Sequence, residues 1–292
     1  MNWIRAIRLP NLIIIGFTQM VVKYALIHPY FRDQQLLFPD HHFLFLVIST
    51  ICLSLFAYLI NDYFDHELDR ISHRKIKAHY KKRTYWRASL LVGIVGFTLA
   101  AFLAFAADLL HLLWVYPLTC LVLFIYSKYL KSTGLPGNIV VALFTSFVIF
   151  IVMISETEIN FSFHRDLYIL LLSFMIFSFL ANLYREIIKD LEDEHEDQLS
   201  GLNTLPIRIG QEKANFVAFF IGAFLLVDVI MFGCFVASNV FQRVHIFGCL
   251  AIPLIFILFL NFKAKSTDNY HQISTYLKLV MIFGLLYLTH GL

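Results

Sequence analysis

The chain has 292 residues, 59% apolar and only 15% charged, with a mean hydropathy of +0.73 and a net charge of +3. A water-soluble globule of this size cannot hide that much apolar side chain in one core, so the composition excludes it and indicates an integral membrane protein. The lipid bilayer is the expected partner and nucleic acid is not.

The apolar runs are each about 20 residues, enough to cross the hydrocarbon as helix, and they lack the alternation of an outer-membrane barrel. The fold class is therefore all-α and polytopic. Nine transmembrane helices are predicted, at residues 9–27, 43–60, 86–107, 109–125, 135–154, 167–183, 214–236, 244–262 and 273–289. They form a single membrane domain, 1–292, with short loops and no Gly/Ser linker. The N-terminus carries Arg5 and Arg8 like a signal segment but has no small-residue cleavage site, so its hydrophobic stretch is expected to be kept as the first span. Only Asp108 and His111 mark the turn between the third and fourth spans. Cys52, Cys120, Cys234 and Cys249 lie scattered in apolar runs, without a Cys-x-x-Cys pair, and read as small core residues. Most histidines fall near span ends and read as interfacial.

Lys and Arg divide unevenly between the two sides. Eighteen of the 23 fall at the N-terminus and in the loops after spans two, four, six and eight. By the positive-inside rule these segments, and the N-terminus with them, are cytoplasmic; the membrane is the inner or plasma membrane if the cell is bacterial.

On that same side the second span ends in Asn61-Asp62-Tyr63-Phe64-Asp65-His66-Glu67-Leu68-Asp69, and the sixth runs into Arg185-Glu186-Ile187-Ile188-Lys189-Asp190-Leu191-Glu192-Asp193-Glu194-His195-Glu196-Asp197. Asp62, Asp65 and Asp69 are spaced i, i+3, i+7, and Asp190, Asp193 and Asp197 repeat the spacing. On a continuous helix each triplet lines one face. Carboxylates on successive turns at a membrane surface repel unless a cation neutralises them. Oxygen ligands without Cys or His favour Mg²⁺ or Ca²⁺, and Mg²⁺ characteristically shares its shell with water and substrate phosphates. Two such faces opposed across a cavity can hold several Mg²⁺ around a diphosphate. The bland alternative is a solvated acidic collar paired with neighbouring Lys and Arg. The duplicated spacing hints at two related halves.

These residues resemble the UbiA superfamily of intramembrane prenyltransferases. Asn61-Asp62-x-x-Asp65-x-x-x-Asp69 is similar to its first aspartate motif, and Asp190-x-x-Asp193-x-x-x-Asp197, led by Arg185 and Lys189, to its second. The Tyr126-Ser127-Lys128-Tyr129-Leu130-Lys131 segment, followed by Gly134-Leu135-Pro136-Gly137-Asn138, resembles the branch that holds geranylgeranylglyceryl phosphate prenyltransferases and chlorophyll synthases. Thr204-Leu205-Pro206 with Gly210 resembles the close of the second motif. The resemblance implies nine helices around a central cavity and Mg²⁺ held by the six aspartates. It also implies an allylic prenyl diphosphate whose ionisation yields a cation captured by a second substrate. Lys128, Lys131, Arg185, Lys189 and Asn138 are the implied diphosphate contacts, Asn61 a contact to metal or acceptor, and Tyr126 a group that orients the diphosphate or the cation. The branch implies geranylgeranyl diphosphate as donor and an aromatic or polar lipid-like acceptor that the sequence does not identify.

The chain departs from the family after its first motif. A run of the type Arg-Pro-apolar-Pro-x-Gly is replaced by residues 70–87, which are basic and contain neither Pro nor Gly, so the turn there must be built differently. That segment reads as an amphipathic lid, a patch for anionic lipid headgroups or a phosphate-binding lid. Glu196 stands where many members have Gly, and Asn203 where a basic residue is common. Two other readings stay open: a terpene cyclase on the same fold, which quenches the cation internally, and a cation channel or carrier built on the carboxylates. Against the channel, Asp228 is the lone acid near the middle of a predicted span.

Overall fold

A computed structural model describes residues 7–31, 39–71, 81–156, 165–237 and 239–291, and for 67–71, 290 and 291 the backbone only. Among the described residues there is no strand. In hydrocarbon the backbone N–H and C=O groups have no water to turn to, so a chain this apolar closes its hydrogen bonds within each span. The helices are α1 (Leu9–Phe31), α2 (Asp40–Ile71), α3 (Lys82–Ala106), α4 (Leu110–Leu130), α5 (Leu135–Ser155), α6 (Arg165–Glu192), the short α7 (Glu194–Leu199) and α8 (Leu205–Ile209), then α9 (Gln211–Phe235), α10 (Val240–Lys263) and α11 (Thr267–Tyr287).

All nine predicted spans are helical. Eight of them, α1 to α6, α9 and α10, are long and apolar enough to cross a membrane among the described residues. The ninth, α11, is 21 residues long but opens with Thr267, Asp268, Asn269, His271 and Gln272, which lowers its hydropathy. Large apolar side chains stay exposed along the spans, among them Leu91, Ile94, Phe105, Phe224 and Phe262. In an integral membrane protein these are the faces that lipid covers.

Local chemistry explains where the helices start, stop and widen. Pro10, Pro136 and Pro206 each sit second in their helices, where the missing N–H costs nothing. Pro253 lies inside α10, directly after a π-helical stretch, Ile246–Ala251. A proline ring collides with the carbonyl four residues back, and the wider turn absorbs that conflict. Asp108 ends α3 with a left-handed φ of 55°, and the turn into α4 is as short as the sequence suggests. At α11, Ser266 and Asn269 form a reciprocal capping box.

The described residues form two compact units, one drawn from residues 1–20, 34–131 and 154–158, the other from 21–33, 132–153 and 159–292. In the first unit α2 packs along α3 and against α4. Small residues set the approach: Ser49 Oγ donates to the Gly96 carbonyl at 3.1 Å, and a Cβ on Gly96 would lie 2.8 Å from Cys52 Cβ. Close backbone approach through Gly, Ser and Cys is how helices associate where water supplies no driving force. The second unit is organised around α6, which packs against α9 and α11. Ser146 Oγ on α5 donates to the Met175 carbonyl at 3.0 Å, and Asn261 Nδ2 on α10 donates to the buried Tyr184 hydroxyl at 3.1 Å.

Candidate active site

The first aspartate motif lies at the end of α2, which continues unbroken to Ile71. Backbone periodicity therefore puts Asp62, Asp65 and Asp69 on one face, as their spacing predicts. The Asp69 side chain lies outside the described residues, as do residues 72–80 of the basic segment. Asn61, Asp62 and Asp65 are buried, the two aspartates at 2% and 7% exposure.

Each of these carboxylates has a cation beside it. Lys131 Nζ donates to Asp65 Oδ2, and Asn61 Nδ2 donates to the same oxygen at 3.0 Å. Arg8 places its guanidinium 3.6 Å from Asp62 Oδ1 and stacks over the Tyr58 ring at 4.6 Å from the centroid. Arg8 is a residue the sequence reading counted only as a topology charge. Its φ of 50° is left-handed, an uncommon conformation for a side-chain-bearing residue.

Lys131 reaches Asp65 from the end of a π-helical turn, Tyr126–Leu130, in which its N–H donates to the Tyr126 carbonyl five residues back at 3.0 Å. The wider turn rotates everything after it relative to a regular α-helix. Tyr126 is half-buried where the turn opens. Lys128 is exposed and lies over the Tyr129 ring, 4.8 Å from the centroid. Removing the Lys131 charge leaves a buried carboxylate short of a partner, which is costly, though Lys131 is partly solvated and the loss is correspondingly softened. Lys131→Met should lower stability by about 1–2 kcal/mol, and Lys131→Arg should restore most of it. Thermal unfolding in detergent measures both.

In the second unit the acidic face is not one helix. α6 ends at Glu192, and Asp193 adopts a non-helical conformation, φ −93° and ψ 3°, before α7 begins. Asp190 thus belongs to α6 and Asp197 to α7. The joint keeps helix-like hydrogen bonds on both sides: Asp193 N–H to the Lys189 carbonyl, and Asp197 N–H to the Asp193 carbonyl, each 2.9 Å. The repeat of the first motif's spacing is therefore folded differently here. Asp197 is buried, while Asp190 and Asp193 are half-buried.

Asn138, in the first turn of α5, donates through Nδ2 to Asp190 Oδ2 at 2.8 Å. Arg185 is turned toward Glu186, 2.8 Å away, and Lys189 is exposed. His271 on α11 reaches Glu192 at 2.7 Å. Thr204, at the close of the second motif, is buried.

The donor set fits Mg²⁺ in kind. It is carboxylate and amide oxygen, without thiolate or imidazole, and Asn61 Oδ1 is a buried acceptor with no hydrogen bond among the described residues. Among the described residues no three His, Cys, Asp or Glu side chains converge as a ready-made metal cage. Mg²⁺ does not require one, because it keeps several waters and commonly takes only one or two carboxylates plus substrate phosphate oxygens. Within the first unit Asn61, Asp62 and Asp65 supply oxygen donors of this kind, and within the second Asp190, Asp193 and Asp197 do.

Residues 25–282 match the model of the UbiA prenyltransferase family. The digeranylgeranylglyceryl phosphate synthase of Sulfurisphaera tokodaii is 31% identical over 222 residues, covering 73% of each chain. The synthase of the same name from Methanosphaera stadtmanae is 27% identical over 249 residues, covering 82% of this chain and 85% of that protein. Among solved structures, one described as digeranylgeranylglyceryl phosphate synthase in membranes aligns with a TM-score of 0.74 at 22% identity, over 99% of this chain and 97% of the other. A UbiA homolog from Archaeoglobus fulgidus, bound to DMAPP and Mg²⁺, aligns with a TM-score of 0.65 at 14% identity, over 99% of both chains.

Proposed function

This chain belongs to the UbiA prenyltransferase family, and from that premise we propose that it moves a prenyl group from an isoprenoid diphosphate to a polar, glycerophosphate-type lipid. Geranylgeranyl diphosphate is the donor in this reading. The relatives named digeranylgeranylglyceryl phosphate synthase support both choices. We take the whole chain to act as one catalytic domain, with the aspartate segments and the N-terminus on the cytoplasmic face, as the Lys and Arg asymmetry argues.

The observation that carries the proposal is the pair of buried carboxylates at the end of α2, Asp62 and Asp65, each beside a partly exposed cation, Arg8 or Lys131. Without substrate these cations neutralise the carboxylates. Long flexible side chains can leave a carboxylate for a phosphate oxygen with little strain, because Lys and Arg serve both anions. Asp62, Asp65 and Asp69 of the first motif, and Asp190, Asp193 and Asp197 of the second, are the carboxylates that would hold Mg²⁺ and, through it, the diphosphate. When bound, Mg²⁺ supplies Lewis-acid neutralisation of the departing diphosphate.

Once moved to the phosphate, Lys131 and Arg8 add positive charge where negative charge grows as the C1–O bond breaks, and the bonding pair leaves with the diphosphate. Lys128, Arg185 and Lys189 supply a wider positive field at the same membrane surface. Asn138 holds Asp190 in place, and Asn61 holds Asp65. Tyr126 orients the donor beside the opening of its π-helical turn. The acceptor hydroxyl then attacks C1 of the allylic cation and loses its proton, giving an ether.

The test is purified protein in detergent with geranylgeranyl diphosphate, with and without Mg²⁺ and a glycerophosphate lipid bearing one free hydroxyl, followed by mass spectrometry. An ether product that needs both additions supports the reading. Release of diphosphate with a cyclic hydrocarbon and no acceptor would replace it with a cyclase. No turnover with any donor length or acceptor would sink it.

A further inference from the structure

The second unit contains a chain of contacts that ends on Asp190 and starts at a residue outside both aspartate motifs. Arg208, in the last turn of α8, donates through Nη1 to the Thr133 carbonyl at 2.6 Å. The next residue, Gly134, has a left-handed φ of 72°, and a Cβ there would lie 3.1 Å from the Leu205 backbone nitrogen and 3.2 Å from Leu205 Cα. The segment after α4 is thus seated directly on the backbone of α8, and glycine takes this left-handed φ and close contact without strain. The Gly134 carbonyl in turn accepts from the N–H groups of Gly137 at 2.9 Å and Asn138 at 3.3 Å, which starts α5. Asn138 then reaches Asp190.

We infer that Arg208 is a positioning residue: by holding the Thr133–Gly134 turn on α8 it sets the start of α5, and so the angle at which Asn138 holds the Asp190 carboxylate. This rests on the reading of Asp190 as part of the diphosphate site. The physical basis is geometric. A turn fixed at one point by backbone packing can still pivot about it, and a second anchor removes the pivot. Thr133 carries that anchor on its carbonyl, so this contact does not use the side chain at 133 but needs a donor of the right length at 208. A guanidinium supplies one in a charge-assisted bond.

The first measurement is hydrogen exchange of the intact, substrate-free protein in detergent, followed at residues 132–140. Arg208→Gln should speed exchange there, with the Gly137 and Asn138 amides affected most. Arg208→Lys, which can still reach a carbonyl, should stay close to wild type. So should Lys213→Gln, an exposed cation on α9 with no role in the turn. Equal protection in wild type and Arg208→Gln overturns the anchor whatever the enzyme does.

The second measurement is the KM for prenyl diphosphate and the Mg²⁺ concentration for half-maximal release. Arg208→Gln should raise at least one of them roughly tenfold, equivalent to about 1.4 kcal/mol, with a smaller effect on kcat and rescue in Arg208→Lys. Faster exchange without a change in either constant would make the contact structural and overturn its connection to Asp190. If wild type itself shows no Mg²⁺-dependent release, the functional reading fails, and the exchange result alone decides whether Arg208 anchors the turn. Gly134→Ala attacks the same seat from the other side and should reproduce the exchange result.

Discussion

Asp62→Asn and Asp190→Asn should each cut diphosphate release from geranylgeranyl diphosphate by a factor on the order of 10²–10³, the scale seen when one preorganised charge-stabilising group is lost. Asparagine keeps the size of aspartate, so packing is preserved and only charge goes. At position 62 the substitution leaves Arg8, 3.6 Å away, without its carboxylate, while the Tyr58 face still holds the guanidinium. At position 190 an amide oxygen can still accept from Asn138. Neither variant should therefore lose more than about 1 kcal/mol of stability, because the Arg8 side chain left behind at position 62 is 32% exposed and can turn to water. The two readouts separate ligation from structure. If the carboxylates hold metal, the Mg²⁺ requirement shifts upward and excess Mg²⁺ recovers part of the rate. If both variants release diphosphate at the wild-type rate, the acidic segments are the solvated collar and the assignment of the site is wrong.

Much of this site was legible in the chain because its signal is local. The i, i+3, i+7 spacing of Asp62, Asp65 and Asp69 predicts a continuous helix, and α2 is continuous there. The same argument fails at Asp193. Residues 190–199 are charged and compatible with helix throughout, and nothing in their composition marks a break. The interruption puts Asp190 and Asp197 on separate helices. What was not legible is long-range. Arg8 looks like any N-terminal topology charge until folding brings it to Asp62. Arg208 looks the same until it meets Thr133. The π-helical turns at Tyr126–Leu130 and Ile246–Ala251 also leave little trace in hydrophobic periodicity, because an all-apolar span has no polar face against which a shift in register would show. Pro253 is the one cue, and it accounts only for the second of them.

The packing beneath the first motif yields the other large effect. Gly96→Ala should destabilise the protein by about 2–3 kcal/mol, the upper part of the range for forcing an extra carbon into a filled core. Its new Cβ would stand 1.9 Å from the Tyr116 hydroxyl oxygen and 2.8 Å from Cys52 Cβ. The tyrosine tip can retreat only into a site where its ring is already buried, at 7% exposure. Cys52 Cβ cannot retreat at all without moving α2. That helix carries Asn61, Asp62 and Asp65 between about two and a half and three and a half turns farther on, roughly 14–20 Å at helical rise, so a tilt at Cys52 is delivered to the carboxylates. Activity should fall along with stability. Tyr116→Phe alone should be close to neutral, because the buried hydroxyl has no hydrogen-bond partner among the described residues and its removal forfeits none. Combined with Gly96→Ala it should recover part of the loss but not all, since the Cys52 contact remains. The size of that recovery is the coupling energy of the pair. Thermal unfolding of the four proteins in one detergent gives the cycle. A Gly96→Ala protein within about 0.5 kcal/mol of wild type, the ordinary range for a substitution that touches nothing, would mean that α2 and α3 are not held by close approach, and that the first motif does not depend on this contact for its position.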